Sequence, residues 1–183
     1  MGAEALDGGR PPLHRVVTTL DLDAPPDRVW ENVVAFSELP PVDDPILSLG
    51  IAYPLRAEIV GRGAGAVRHC VFTTGAFVEP ITVWDAPRRL RFDVIAQPPA
   101  MHEMSPWGNI EAPHLDDYLV SRAGQFLLTP TATGTHVEAT TWYEHRIRPA
   151  LYWKPWSDAI LHRIHLRVLR HVKALAEAHH AGL

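Results

Sequence analysis

The chain places few side chains where they could act on a substrate. Glu79 is the first, a carboxylate inside the apolar run Ala76-Phe77-Val78-Glu79-Pro80-Ile81. If Gly75-Ala76 forms a two-residue hairpin, Glu79 lies opposite Phe72 and shares a face with Arg68, Cys70, Phe77 and Ile81. A carboxyl buried there has a raised pKa unless a cation holds it, which suits general acid or base work. The alternative is an outward-facing strand charge. Arg122 shares the alternation of Phe126 and Leu128. It is a candidate buried cation for Glu79 or for a ligand's carboxylate or enolate oxygen, or else an arginine at the sheet's end paired with Asp117 or Glu144. Tyr143 and Tyr152 could offer hydroxyls to a ligand.

Other constellations fall away on spacing. Gly61-Arg62-Gly63-Ala64-Gly65 looks like a phosphate loop, but Val67, Cys70, Val71 and Phe72 follow it, a strand rather than the helix such a loop needs. Cys70 and His69 are strand neighbours and point to opposite faces, so they form no dyad. Ser157-Asp158 is a commonplace polar pair at a helix start. Among the eleven histidines, His162 and His165 are three apart, but helical phase puts His162 on the polar face and His165 at its edge. A metal site wants three or four converging ligands, so none is expected. His171 phases toward the apolar face, where a satisfied core histidine is favoured over a ligand contact.

The elements that position these groups follow from periodicity. His14 to Asp23 alternates, with Val17, Thr19 and Leu22 apolar or β-formers, and reads as a strand. Pro25-Pro26-Asp27 opens a helix with the stripe Val29, Trp30, Val33 and Val34. Residues 41–52 allow one helical turn. Strands then follow over Pro54 to Val60, Ala66 to Thr74, Phe77 to Asp85 and Arg89 to Ala96. After residues 97–117 come Tyr118 to Thr129 and His136 to Arg146. From Pro149 to Ala178, Ile160, Leu161, Ile164, Val168, Val172 and Leu175 recur at three and four, one face of a helix of roughly six turns. Its head carries Tyr152, Trp153 and Trp156.

This order predicts an α+β fold, a curved seven-stranded antiparallel sheet gripping a long C-terminal helix. Residues 1–12 read as a tail, and 13–183 as one domain with an insertion at 97–117. Short links make neighbours antiparallel. Strand parity then puts the Gly75 turn, the insertion and the head of the last helix at one end of the sheet. Trp107 in the insertion is therefore expected to meet Tyr152, Trp153 and Trp156, as a lid or as a structural cap.

Composition narrows the class. Hydrophobic residues are 46% of the chain, enough for a sizeable core. A net charge of −4 gives no electrostatic footprint for nucleic acid. The one cysteine excludes an internal disulfide and fits a reducing compartment. With no long apolar run, neither membrane insertion nor a leader is expected, and the chain reads as cytoplasmic.

Several segments together resemble the START-like, helix-grip (SRPBCC) superfamily, and within it the polyketide cyclase/dehydrase-type branch. They are Asp23-Ala24-Pro25-Pro26-Asp27-Arg28-Val29-Trp30, Gly63-Ala64-Gly65-Ala66-Val67-Arg68, Trp84-Asp85-Ala86-Pro87-Arg88-Arg89-Leu90, Phe126-Leu127-Leu128 and Gly134-Thr135-His136-Val137. The resemblance implies a cavity between sheet and helix. Members hold lipids, sterols, plant hormones or aromatic polyketides, some catalyse cyclisation and dehydration, and others are co-chaperone modules, so the fold alone assigns no activity.

The expected function is binding of a hydrophobic or aromatic small molecule, with no cofactor and no metal, and with a homo-oligomer left open. The expected lining is Phe72, Phe77, Phe126, Leu128, Thr141, Tyr152, Trp156, Ile160, Ile164 and Trp107. One alternative is a cyclase/dehydratase-type enzyme using Glu79, Arg122 and Tyr143. The other is an interaction module with a filled cavity.

Overall fold

The computed structural model describes residues 12–101 and 119–178. The tail, and the part of the insertion that holds Trp107, lie outside the described residues. Strand β1 is Leu13–Leu22, followed by helix α1 at Pro26–Val34, a 3₁₀ turn at Leu47–Leu49 and strand β2 at Pro54–Val60. Then come β3 (Val67–Phe72), β4 (Gly75–Asp85), β5 (Arg89–Asp93), β6 (Leu119–Pro130), β7 (Thr135–His145) and helix α2 (Ala150–Glu177). The strands form one antiparallel sheet in the order β1-β7-β6-β5-β4-β3-β2. The chain therefore has the α+β helix-grip architecture, with α2 against β1 and β7 and with α1 beside α2.

The core explains the grip. Helix α1 buries Val29, Trp30, Val33 and Val34, and the Trp30 ring meets Trp84 edge-on at 5.5 Å. Helix α2 buries Leu161, Val168, Leu169, Val172 and Ala176. Each large apolar side chain removed from water contributes about 1.5–3 kcal/mol, so this half of α2 is anchored. The first turns are not. Leu151 is 92% exposed, and Tyr152, Trp153 and Trp156 are exposed too.

Three local features depart from the simple alternation read in the sequence. In β1 the buried positions are Val16, Thr18 and Leu22, so the inward parity is even and Val17 and Thr19 are not its core residues. The β3–β4 turn is Thr73-Thr74. Phe72 therefore pairs with Gly75, and Glu79 pairs with Arg68 rather than with Phe72. That four-residue slip keeps Glu79 on the same face while changing its partner. In β6 the register shifts between Ser121 and Ala123. A bulge reverses side-chain direction along a strand, so Ser121 is buried before it and Gly124, Phe126 and Leu128 after it.

Gly124 is required by close approach: a Cβ there would collide with the Phe92 ring. The described edge of the insertion sits where strand parity puts it. Thr74 Oγ1 donates to the Pro99 carbonyl at 2.7 Å, and Ala52 N donates to the Ala100 carbonyl at 2.9 Å.

Candidate functional site

Between the sheet and α2 lies a cavity of about 740 Å³. Phe72, Phe77, Phe92, Phe126 and Ala139 line it from the strands, and Ile160, Ile164 and Val168 from α2. Leu49, Met101, Trp153 and Trp156 both line it and are exposed, which makes them its rim. Gln97 to Met101 and the head of α2 thus share one cavity mouth.

The walls are mostly apolar, and their ionisable side chains gather at two places. On β3 and β4, Arg68 and Glu79 are 2% and 5% exposed. Arg68 Nη1 donates to Glu79 Oε2, and Arg68 Nε donates to the Val34 carbonyl at 3.1 Å. The guanidinium carbon lies 5.5 Å from the Phe36 ring centroid, 5.3 Å from that of Phe92 and 5.8 Å from that of Phe126. Arginine's planar, weakly hydrated fork suits such a box better than lysine would. Burial pushes the Glu79 carboxyl above its ordinary value, and Arg68 opposes that. Burial is the largest influence on Arg68 and works against its charge, but Glu79 and Cys70 together outweigh it and Arg68 stays protonated. Burial also pushes the Cys70 thiol up to about 12, so the thiolate that nucleophilic chemistry needs is suppressed.

The second polar place faces β1 and β7. His165 Nε2 lies 2.7 Å from Thr141 Oγ1, and its Nδ1 lies 3.0 Å from Thr18 Oγ1. Burial, and after it His162, push the His165 imidazole down to about 4.

The sequence-derived candidates separate in space. Glu79, Phe72, Phe77, Phe126, Thr141, Trp156, Ile160 and Ile164 line the cavity. Arg122 does not reach it. The β6 bulge turns it outward, where it makes a two-point contact with Glu144 at 2.8 and 3.0 Å. Tyr143 is fully buried beside Val16 and Leu161, and its hydroxyl donates to Asp158. Burial and that bond raise its pKa, so it is committed to structure rather than to the cavity. Leu128 packs in the main core with Val33 and Val137. Tyr152 is 59% exposed and meets the Trp153 ring at 5.0 Å. His171 is half-buried against Phe36, its Nε2 3.2 Å from the Ser37 carbonyl.

Sequence reasoning underweighted two residues. Arg68 appeared only as a partner for Glu79, yet it is the cavity's cation. Helical phase sets His165 at an edge of the apolar face, but Leu161, His165, Val168 and Val172 fall at i, i+4, i+7 and i+11, the spacing of a buried stripe. Among the described residues no group of three or more His, Cys, Asp or Glu is arranged to hold a metal, and no helix is long and apolar enough to cross a membrane.

No family profile and no curated protein matches the chain by sequence. Solved structures do match in shape. A di-domain ARO/CYC, StfQ, from the steffimycin biosynthetic pathway superposes with a TM-score of 0.59 at 14% identity, over 93% of this chain and 53% of that one. The chain thus spans about half of that protein. A truncated norcoclaurine synthase from Thalictrum flavum gives 0.51 at 13% identity, over 93% of this chain and 97% of that one. A protein from Mesorhizobium loti gives 0.54 at 14% identity, over 90% and 98%. At these identities the likeness establishes the helix-grip fold alone.

Proposed function

We propose that this protein binds a hydrophobic, ring-bearing small molecule of lipid- or polyketide-like character in the cavity between the sheet and α2. The observation that carries the reading is an apolar cavity of about 740 Å³ with one buried guanidinium in its wall, within the usual range for small-molecule sites of about 300–1,000 Å³. Arg68 is already balanced by Glu79, so it has donors to offer but little net charge. That favours a neutral oxygen, a carbonyl, enol or phenol, over a free carboxylate. Trp153 and Trp156 at the rim suit stacking against rings as they enter. A cavity of this size speaks against an interaction module filled by its own side chains.

The enzyme reading keeps a narrower basis. StfQ is an ARO/CYC by its description, and the Thalictrum protein is a synthase. In this chain Arg122 and Tyr143 are engaged outside the cavity, so Arg68 and Glu79 would have to polarise the carbonyl. Native mass spectrometry of protein purified from its own host tests the binding reading. A retained organic molecule lost on denaturation is expected. Ligand-free protein that also gives no thermal shift with a panel of aromatic polyketides and lipids would overturn it.

A further inference from the structure

Four side chains join the cavity wall to solvent, and the binding reading uses none of their connectivity. Thr18 Oγ1 lies 2.8 Å from His162 Nδ1 and 3.0 Å from His165 Nδ1. His165 Nε2 lies 2.7 Å from Thr141 Oγ1. Thr18 is 1% exposed and His162 is exposed, while His165 and Thr141 line the cavity. The line from solvent to cavity is unbroken and every link is of hydrogen-bond length.

Proton counting constrains it further. The Thr18 hydroxyl has one proton and two imidazole neighbours. Where it donates to one Nδ1 and accepts from the other, neutral His162 and His165 are opposite tautomers. In one arrangement Thr141 donates to His165 Nε2, His165 Nδ1–H donates to Thr18, and Thr18 donates to His162 Nδ1, which leaves a Thr141 lone pair for the cavity. In the other arrangement every bond reverses and the Thr141 O–H is free to donate inward. With its pKa pushed down to about 4, His165 stays neutral near pH 7, with one nitrogen able to give a proton and the other able to take one.

We propose that this chain is a proton relay serving a ligand that carries an ionisable phenol or enol hydroxyl, an assignment that rests on the cavity-binding reading. The ligand O–H bond breaks and its electron pair stays on the ligand oxygen. Its proton bonds to Thr141 Oγ1, whose own proton passes to His165 Nε2. The His165 Nδ1 proton passes to Thr18 Oγ1, and the Thr18 proton passes to His162 Nδ1. The His162 imidazolium then loses its Nε2 proton to water, which leaves the ligand anion and a chain in its reversed arrangement. The same path run backward donates a proton from Thr141 to a ligand oxygen.

Two measurements test it. Long-range ¹H–¹⁵N spectra of the ligand-free, histidine-labelled protein near pH 7 should show Nδ1 protonated in one of His162 and His165 and bare in the other. Both bare, or both protonated, overturns the relay. With 7-hydroxy-4-methylcoumarin as the bound probe, a pH jump followed by absorbance gives its ionisation rate. Thr18→Val and His162→Gln should each slow that rate tenfold or more, and Thr18→Ser should restore it, with the probe's Kd within twofold throughout. A purely structural role for Thr18 leaves the rate unchanged at the exposed His162→Gln variant, and that result overturns the relay. If the wild-type protein binds no coumarin, the binding reading and the assigned ligand class fail. The tautomer spectra, which need no ligand, still decide the relay's connectivity by themselves.

Discussion

Two arginine–glutamate pairs sit on the same sheet, and their surroundings give them different work. Arg68–Glu79 spans β3 and β4 inside the cavity, with side-chain exposures of 3% and 7%. Arg122–Glu144 spans β6 and β7 on the outer side, where the arginine side chain is 39% exposed and Arg146 also donates to Glu144 at 2.7 Å. In the outer pair either arginine can hold the carboxylate. In the inner pair each partner depends on the other, since burial penalises both charges. The lesson is that ion-pair chemistry alone does not mark a site. What distinguishes the inner pair is a cation held among three aromatic rings in the cavity wall.

The comparison is broken or sharpened most strongly at Arg68. Arg68→Met should cost about 3–5 kcal/mol, because it strands the Glu79 carboxyl in the cavity wall. The double variant Arg68→Met/Glu79→Leu should recover most of that loss in denaturant unfolding. A double variant no more stable than the single would mean the pair is not mutually dependent.

The next largest effect belongs to the neutral polar place. His165 is pushed down to about 4 from an ordinary 6.5, so the unfolded chain takes up its proton first as pH falls. Stability should therefore drop between pH 6.5 and about 4, by about 3 kcal/mol in the limit. His165→Phe should flatten that window in unfolding curves recorded across pH, and a slope left unchanged would place the acid sensitivity elsewhere.

Gly124→Ala comes third. It forces the Phe92 ring away from β6 and out of the box around Arg68, and should cost about 1–3 kcal/mol together with a weaker ligand response. The outer pair is the smallest. Arg122→Met should cost no more than about 1 kcal/mol, since Arg146 remains. Hydrogen bonds from Arg122 and Arg146 hold Glu144 down at about 2 against an ordinary 4.5. Its contribution is therefore present above pH 4.5 and lost as pH falls toward 2, and Glu144→Gln should remove that dependence.

These contrasts also explain what could be read from the sequence. The strand and helix order was legible because period-2 and period-3.6 patterns, punctuated by Pro and Gly, survive in the sequence whatever the tertiary context. The stripe Val29, Trp30, Val33 and Val34 of α1 is an example. The site was legible only in part. Arg122 follows Phe126 and Leu128 in strict alternation, and nothing in the letters Ser121-Arg122-Ala123 announces the bulge that turns it out. The Thr73-Thr74 turn lacks the Gly or Asn that usually marks a hairpin, so Glu79 was set opposite Phe72 rather than Arg68. Tyr143 has the inward parity assigned to it, but parity gives direction and not depth: its hydroxyl finds Asp158 before it reaches open volume. His165 was hidden by its residue type, since a polar side chain on a buried stripe shows its role only once Thr18 and Thr141 stand opposite it.

The central claim is that a ring-bearing ligand enters an apolar cavity and presents an oxygen to Arg68. The most direct test compares 2-naphthol with naphthalene by quenching of rim tryptophan fluorescence, in the wild type and in Arg68→Met/Glu79→Leu. The account predicts that the wild type prefers 2-naphthol by tenfold or more, and that the double variant binds both equally. Equal affinity for the two ligands in the wild type, or a preference that survives the double substitution, would contradict it.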